Sequence, residues 1–156
     1  MVALDYSTAA MIDAKVERDI LIEAPVDVVW RMITAPHEIV RWFADEADLD
    51  PTPGAAGELR FKSHRTFALR VEAVEPMRRF AFRWATVPEE RPRERNSLLV
   101  EFLLTEEPRG TRLRVVESGF QNVDWSDAEM AKYAEDHNQG WSMYLGRLRE
   151  LLLGPR

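Results

Sequence analysis

No cysteine occurs in the 156 residues, so disulfides, thiolate catalysis and cysteine-ligated zinc are excluded together. No apolar run approaches the roughly 18 residues that a membrane-spanning helix needs. Positive charge is short as well: 21 Lys and Arg stand against 27 Asp and Glu, a net of −6. An average field of that sign repels phosphate backbones and anionic lipid, so nucleic acid is not an expected partner. The opening MVALDYSTAAMIDA carries Asp5 and no early Lys or Arg. It lacks the basic start of a secretory leader, which makes the cytoplasm the expected location.

The chemistry-bearing residues are sparse in the same way. His37, His64 and His137 each lack a second ligand at metal-motif spacing, so no metal is expected. None of Ser63, Ser97, Ser118, Ser126 and Ser142 sits in a nucleophile elbow. Gly54 and Gly57 stand in a proline loop without the lysine of a phosphate-binding loop. The common hydrolase, kinase and dehydrogenase signatures are thereby missing, and no cofactor is expected.

What is present is an ordinary globular composition, 46% apolar and 31% charged. It predicts one domain over residues 15–153, preceded by an arm at 1–14. The firmest element is the stretch from Glu129 to Leu153. Met130, Tyr133, His137, Trp141, Tyr144 or Leu145, Leu148, and Leu151 or Leu152 recur there in steps of three and four, one stripe of a long amphipathic helix. Upstream, Val16, Ile20 and Ile22 alternate as in a half-buried strand. Pro25 then suits a helix start, with Val26, Val29, Trp30 and Ile33 on one face. Ala35-Pro36 breaks that helix, and Pro36 starts a second short one carrying Ile39, Val40, Trp42 and Phe43.

Asp45 to Gly57, interrupted by two prolines and two glycines, reads as a loop. Five strand-like segments follow: Glu58 to Ser63, Phe67 to Glu75, Arg79 to Ala85, Leu98 to Thr105 and Thr111 to Ser118. Their separators are turn-like, His64-Arg65, Pro76-Met77 and Pro108-Arg109-Gly110, apart from a charged, solvated break at Thr86 to Asn96. The pattern predicts an α+β fold in which a curved six-stranded antiparallel sheet wraps around the long C-terminal helix. Two short helices lie between its first two strands.

Alternation assigns the faces of that sheet. Phe80, Phe82 and Trp84 share one parity, as do Leu98, Val100, Phe102 and Leu104 on the next strand. Leu113 and Val115 continue the inward set on the last strand, and the same parity carries Glu117 inward. An unpaired carboxylate there would cost several kcal/mol or take up a proton. Glu117 therefore has a partner, or lies at a wet pocket mouth, or the register slips by one. The basic residues Arg60, Lys62, Arg70, Arg78, Arg79 and Arg83 interleave with acids as on a solvated convex face. Leu99, Leu103 and Val116 on that face are either scattered apolar residues or a homodimer contact.

Specific residues carry a resemblance. Glu23-Ala24-Pro25 followed by Val29-Trp30 is similar to the opening signature of the START-like (SRPBCC) helix-grip superfamily, and Trp42-Phe43 to the close of its second short helix. Phe80-x-Phe82-x-Trp84 after Glu75-Pro76, Gly110-Thr111-Arg112-Leu113 with Glu117-Ser118-Gly119-Phe120, and Gly140-Trp141 with Leu145 and Leu148 resemble three later segments. Together they resemble the branch of the activator of heat-shock-chaperone ATPase (AHSA-like), over Val16 to Leu152. The resemblance implies a cavity between sheet and long helix. It also implies a hydrophobic or aromatic ligand of unknown identity, or a polyketide cyclase/dehydratase-like activity, or a chaperone contact. The namesake's separate chaperone-gripping domain has no counterpart in residues 1–14.

Trp42, Phe61, Phe80, Phe82, Trp84, Phe102, Tyr133, Trp141 and Tyr144 either form a solid aromatic core or wall such a cavity. With Glu117 and His137 as polar fixing groups, they are the candidate ligand-binding residues. No catalytic residue is expected, and His137 is read as a hydrogen-bonded wall residue rather than a base. Gly140 costs the helix about 1 kcal/mol against alanine, for close approach to the sheet or for ligand room.

Overall fold

The computed structural model describes residues 15–62, 65–87 and 90–153. The expected arm at 1–14 and His64 of the expected turn lie outside the described residues. β1 (Val16–Ile22) leads into helix α1 (Val26–Thr34) and the single turn α2 (Pro36–Ile39). β2 (Glu46–Asp48), β3 (Ala56–Phe61), β4 (Arg65–Glu75), β5 (Arg79–Ala85), β6 (Ser97–Glu107) and β7 (Gly110–Ser118) follow. The 27-residue helix α3 (Asp127–Leu153) ends the described chain.

All strand pairs are antiparallel, in the order β1-β7-β6-β5-β4-β3-β2. The sheet thus has seven strands where six are expected, and the addition is β2 inside the supposed loop. Three residues with an acid at each end show no apolar alternation, so β2 is held by backbone pairing of Glu46, Ala47 and Asp48 with Arg60, Leu59 and Glu58. Gly57 is the one local sign of it. A Cβ on Gly57 would lie 2.4 Å from the Asp48 carbonyl oxygen, so only glycine lets the edge strand come that close.

The parity assignment holds. Phe80, Phe82, Trp84, Leu98, Val100, Phe102, Leu104, Leu113 and Val115 are all buried and form one cluster with Val29, Ile33, Trp42, Trp141, Leu145 and Leu148. The short helices are locked to each other where the Trp42 indole N–H donates to the Met32 carbonyl at 2.8 Å. Arg83 and Glu101 lie on the other face, Arg83 beside Glu72 and Glu101 bound by Arg79 at 2.8 Å. Arg114 pairs with Glu17 on the same surface. Exposed pairs of this kind contribute about 1 kcal/mol or less each. Leu99, Leu103 and Val116 are half-buried there, flanked in register by Arg79, Glu101 and Arg114.

Helix α3 begins at Asp127, two residues before its expected start, because Ser126 and Glu129 form a reciprocal cap. The Glu129 N–H donates to Ser126 Oγ at 3.1 Å, and the Ser126 N–H donates to Glu129 Oε1 at 3.0 Å. The Ser126 backbone N–H, and after it the Ser126 hydroxyl, hold the Glu129 carboxyl below its ordinary range. Ser126→Ala is expected to cost about 1 kcal/mol, read as a melting temperature lower by about 2–4 °C.

Candidate functional site

The helix spacing sets Tyr133, His137 and Trp141 one turn apart on a single stripe, facing β5 and β7. That stripe meets the inward-facing Glu117, whose side chain is 0% exposed. Three donors converge on it. The Trp84 indole N–H reaches Oε2 at 2.9 Å, and the Trp141 indole N–H reaches Oε1 at 3.0 Å. His137 Nδ1 lies 2.7 Å from Oε1. Of the alternatives open from sequence, Glu117 therefore has partners, and the register does not slip. The buried carboxylate joins strand β5, strand β7 and helix α3 through one side chain.

The same contacts set the state of the imidazole. An indole N–H can only donate, so both Glu117 oxygens accept; with Glu117 as the carboxylate, Nδ1–H is the third donor. In a neutral ring this leaves Nε2 with the lone pair. Every buried side-chain nitrogen and oxygen among the described residues has a hydrogen-bond partner. Nε2 makes no hydrogen bond among those residues, and the His137 side chain is 23% exposed. The partly exposed ring stands at the edge of an opening between sheet and helix.

Beside this pair lies a cleft of about 230 Å³ lined by Phe43, Phe61, Phe67, Trp84, Tyr133, Asp136, His137, Gly140, Trp141 and Tyr144. Six of the sequence candidates line it: Phe61, Trp84, Tyr133, His137, Trp141 and Tyr144. Glu117 lies beneath it, behind Trp84, His137 and Trp141. Trp42, Phe80, Phe82 and Phe102 do not reach it; they are buried in the core behind the first ring layer. Both readings of the aromatic residues are thus partly realised, a solid core below and an open cleft above.

Phe43 is the lining residue that sequence reasoning left among the core positions. It stacks on Trp141 at 5.1 Å and meets Tyr144 and Phe61 edge-on at 5.1 and 5.4 Å. Its place beside Trp42 in a short apolar turn gave no sign of which ring faces the cleft. Phe67 and Asp136 were also missed, and Asp136 is exposed at the mouth. Tyr133 stacks on the His137 ring at 3.8 Å between centroids. Burial, reinforced by the nearby Glu117 carboxylate, pushes the Tyr133 phenol far above its ordinary value, so it stays protonated and neutral. Burial raises Tyr144 in the same direction.

Gly140 settles its own question. A Cβ there would find only the Tyr144 ring edge, at 4.0 Å, so the helix does not need glycine for close packing. It leaves room at the cleft wall instead. Gly140→Ala is expected to stabilise the fold by about 1 kcal/mol, a rise of about 2–4 °C in melting temperature, while narrowing the cleft.

Among the described residues no group of three or more His, Asp or Glu side chains is placed to hold a metal ion. No described helix is long and apolar enough to cross a membrane.

Comparison with known proteins agrees with this geometry. A Mesorhizobium loti protein, MLL2253, is similar at 26% identity and TM-score 0.76, covering 89% of this chain and 96% of that one. DynU16, from the dynemicin biosynthetic locus, is similar at 29% identity and TM-score 0.72 over 90% of this chain, which spans only 47% of DynU16. The Aha1 dimer from Colwellia psychrerythraea shares the fold at 18% identity and TM-score 0.72, over 89% of this chain and 96% of that one. None of the curated proteins compared matches the chain. The family described as "Activator of Hsp90 ATPase homolog 1-like protein" matches residues 23–153, nearly the whole helix-grip unit from α1 to the end of α3, and the chain belongs to that family.

Proposed function

We propose that the protein binds a small, flat, apolar ligand in the cleft between the sheet and α3. One observation carries this: a space of about 230 Å³ walled by Phe43, Phe61, Phe67, Trp84, Tyr133, Trp141 and Tyr144, with His137 as the inner polar group. Pockets of this type combine apolar walls with a few fixing groups. A dry cavity of about 150 Å³ accepts benzene, so this cleft has room for a ligand of one or two rings. A similar structure from a biosynthetic locus supports a small-molecule partner over a protein one.

Trp84 and Trp141 line the cleft, so their fluorescence reports on occupancy. Titration with a panel of one- and two-ring aromatics is expected to quench it, and to raise the melting temperature as ligand exceeds its dissociation constant. A panel that does neither up to its solubility limits removes the reading.

A second reading, proton-transfer catalysis like that of aromatic cyclases, is favoured by the Glu117–His137 pair, in which a carboxylate orients an imidazole on the cleft wall as a candidate base. Recovering every bound ligand chemically unchanged would retire it. A chaperone contact ranks behind both, because nothing among the described residues points to such a surface. A contact between two copies through Leu99, Leu103 and Val116 is disfavoured by the charges flanking each of them, and sedimentation analysis at micromolar concentration checks it.

A further inference from the structure

We infer that the ligand is a hydroxylated aromatic, a phenol-type compound whose O–H donates to His137 Nε2. This rests on the ligand-binding reading above and adds the polarity of the ligand's one directed contact. Two indole N–H groups already occupy both oxygens of Glu117 as acceptors, at 2.9 and 3.0 Å. With Glu117 as the carboxylate and the ring neutral, Nδ1 carries the proton at its 2.7 Å contact. Moving that proton to Nε2 would set the Nδ1 lone pair against a buried carboxylate oxygen. The ring consequently offers the cleft an acceptor. A ligand carbonyl or ether would face it lone pair to lone pair, whereas a hydroxyl completes it.

The packing keeps the imidazole from turning away. It is stacked on Tyr133 at 3.8 Å and set edge-on to Trp84 at 5.8 Å. The remaining lining is rings and Gly140, with the Tyr133 and Tyr144 rings carrying hydroxyls and Asp136 exposed at the mouth. At His137 the hydroxyl is read as a donor, beside faces that accept a flat apolar body.

Three matched ligands test this in the wild-type protein by calorimetry at pH 8: 2-naphthol, 2-methylnaphthalene and 2-methoxynaphthalene. The methyl compound has nearly the shape of the naphthol without its donor, and the methoxy compound can accept but not donate. We expect 2-naphthol to bind about tenfold more tightly than 2-methylnaphthalene, the worth of one hydrogen bond in a partly dry site. 2-Methoxynaphthalene should gain nothing over the methyl compound. Equal affinity for naphthol and methylnaphthalene, or a gain for the methoxy compound, overturns the inference and leaves the ligand-binding reading standing. If none of the three binds, the ligand-binding reading itself fails. In His137→Phe the naphthol preference should vanish while 2-methylnaphthalene still binds. Should that variant not fold, the ¹⁵N spectrum of the wild type decides the tautomer: an unprotonated Nε2 of His137 is expected, and a protonated one sinks the proposal.

Discussion

Replacing Glu117 by alanine is expected to lower the unfolding free energy by about 4 kcal/mol, seen as a fall of about 8–16 °C in melting temperature. The cost arises from the donors left behind rather than from the lost carboxylate. Trp84, His137 and Trp141 would each keep a buried or half-buried N–H with no acceptor, at about 1–3 kcal/mol apiece. Against this stands relief from holding a fully buried charge, which is why the net falls below the sum. Glu101 serves as the control: its carboxylate also has a partner, Arg79, but on the half-exposed convex face, and its alanine variant should cost about 1 kcal/mol or less. If the two variants melt together, Glu117 does not tie the helix to the sheet. Replacing Glu117 by leucine together with Trp84→Phe, His137→Phe and Trp141→Phe should regain most of the loss, because no orphaned donor then remains.

The reach of sequence reasoning divides at the same residue. Alternation on three strands placed Phe82, Val100 and Val115 inward without any knowledge of the fold, and it carried Glu117 with them, because the period of a strand leaves no freedom once the register is set. The helix stripe placed His137 and Trp141 correctly for the same reason. Neither pattern contains the distance between the two elements, so the meeting of Glu117 with His137 and both indoles could not be read along the chain. Depth was equally invisible. Phe82 and Trp84 share a parity, yet Trp84 lines the cleft while Phe82 lies in the core behind it. Phe43 shows the converse, a residue in a short irregular turn whose direction is set only by tertiary packing. The start of α3 was legible and passed over: Ser126 followed three residues on by Glu129 is a capping-box pattern. β2 was not legible, since three backbone-paired residues at an edge leave no periodicity.

The second large effect is expected at Trp141. Its ring is 2% exposed, stacked on Phe43 at 5.1 Å and met edge-on by Phe102 at 5.7 Å, and its N–H bonds Glu117. Trp141→Ala removes the ring and the donor together, at about 3–5 kcal/mol. The vacated volume would join the neighbouring cleft, so the variant should gain a larger apolar hole with one vacated acceptor position of Glu117 Oε1 on its wall. Oε1 keeps its His137 contact, so what the variant leaves open there is the second acceptor position that Trp141 filled. That combination makes a specific prediction about rescue. Indole supplies both the missing ring and the missing N–H, so saturating indole should raise the variant's melting temperature by several degrees. 1-Methylindole fills the same hole without a donor and should recover clearly less. Equal rescue by the two would mean that Trp141 acts only by filling space. No rescue by either would mean that the helix shifts onto the sheet when the ring is lost. In the wild type Trp141 already holds Glu117, so any advantage of indole over its methylated form there comes from His137 Nε2 and sets the baseline that the variant must exceed. The difference between the two ligands in the two proteins thus isolates the single indole-to-carboxylate bond that joins α3 to β7.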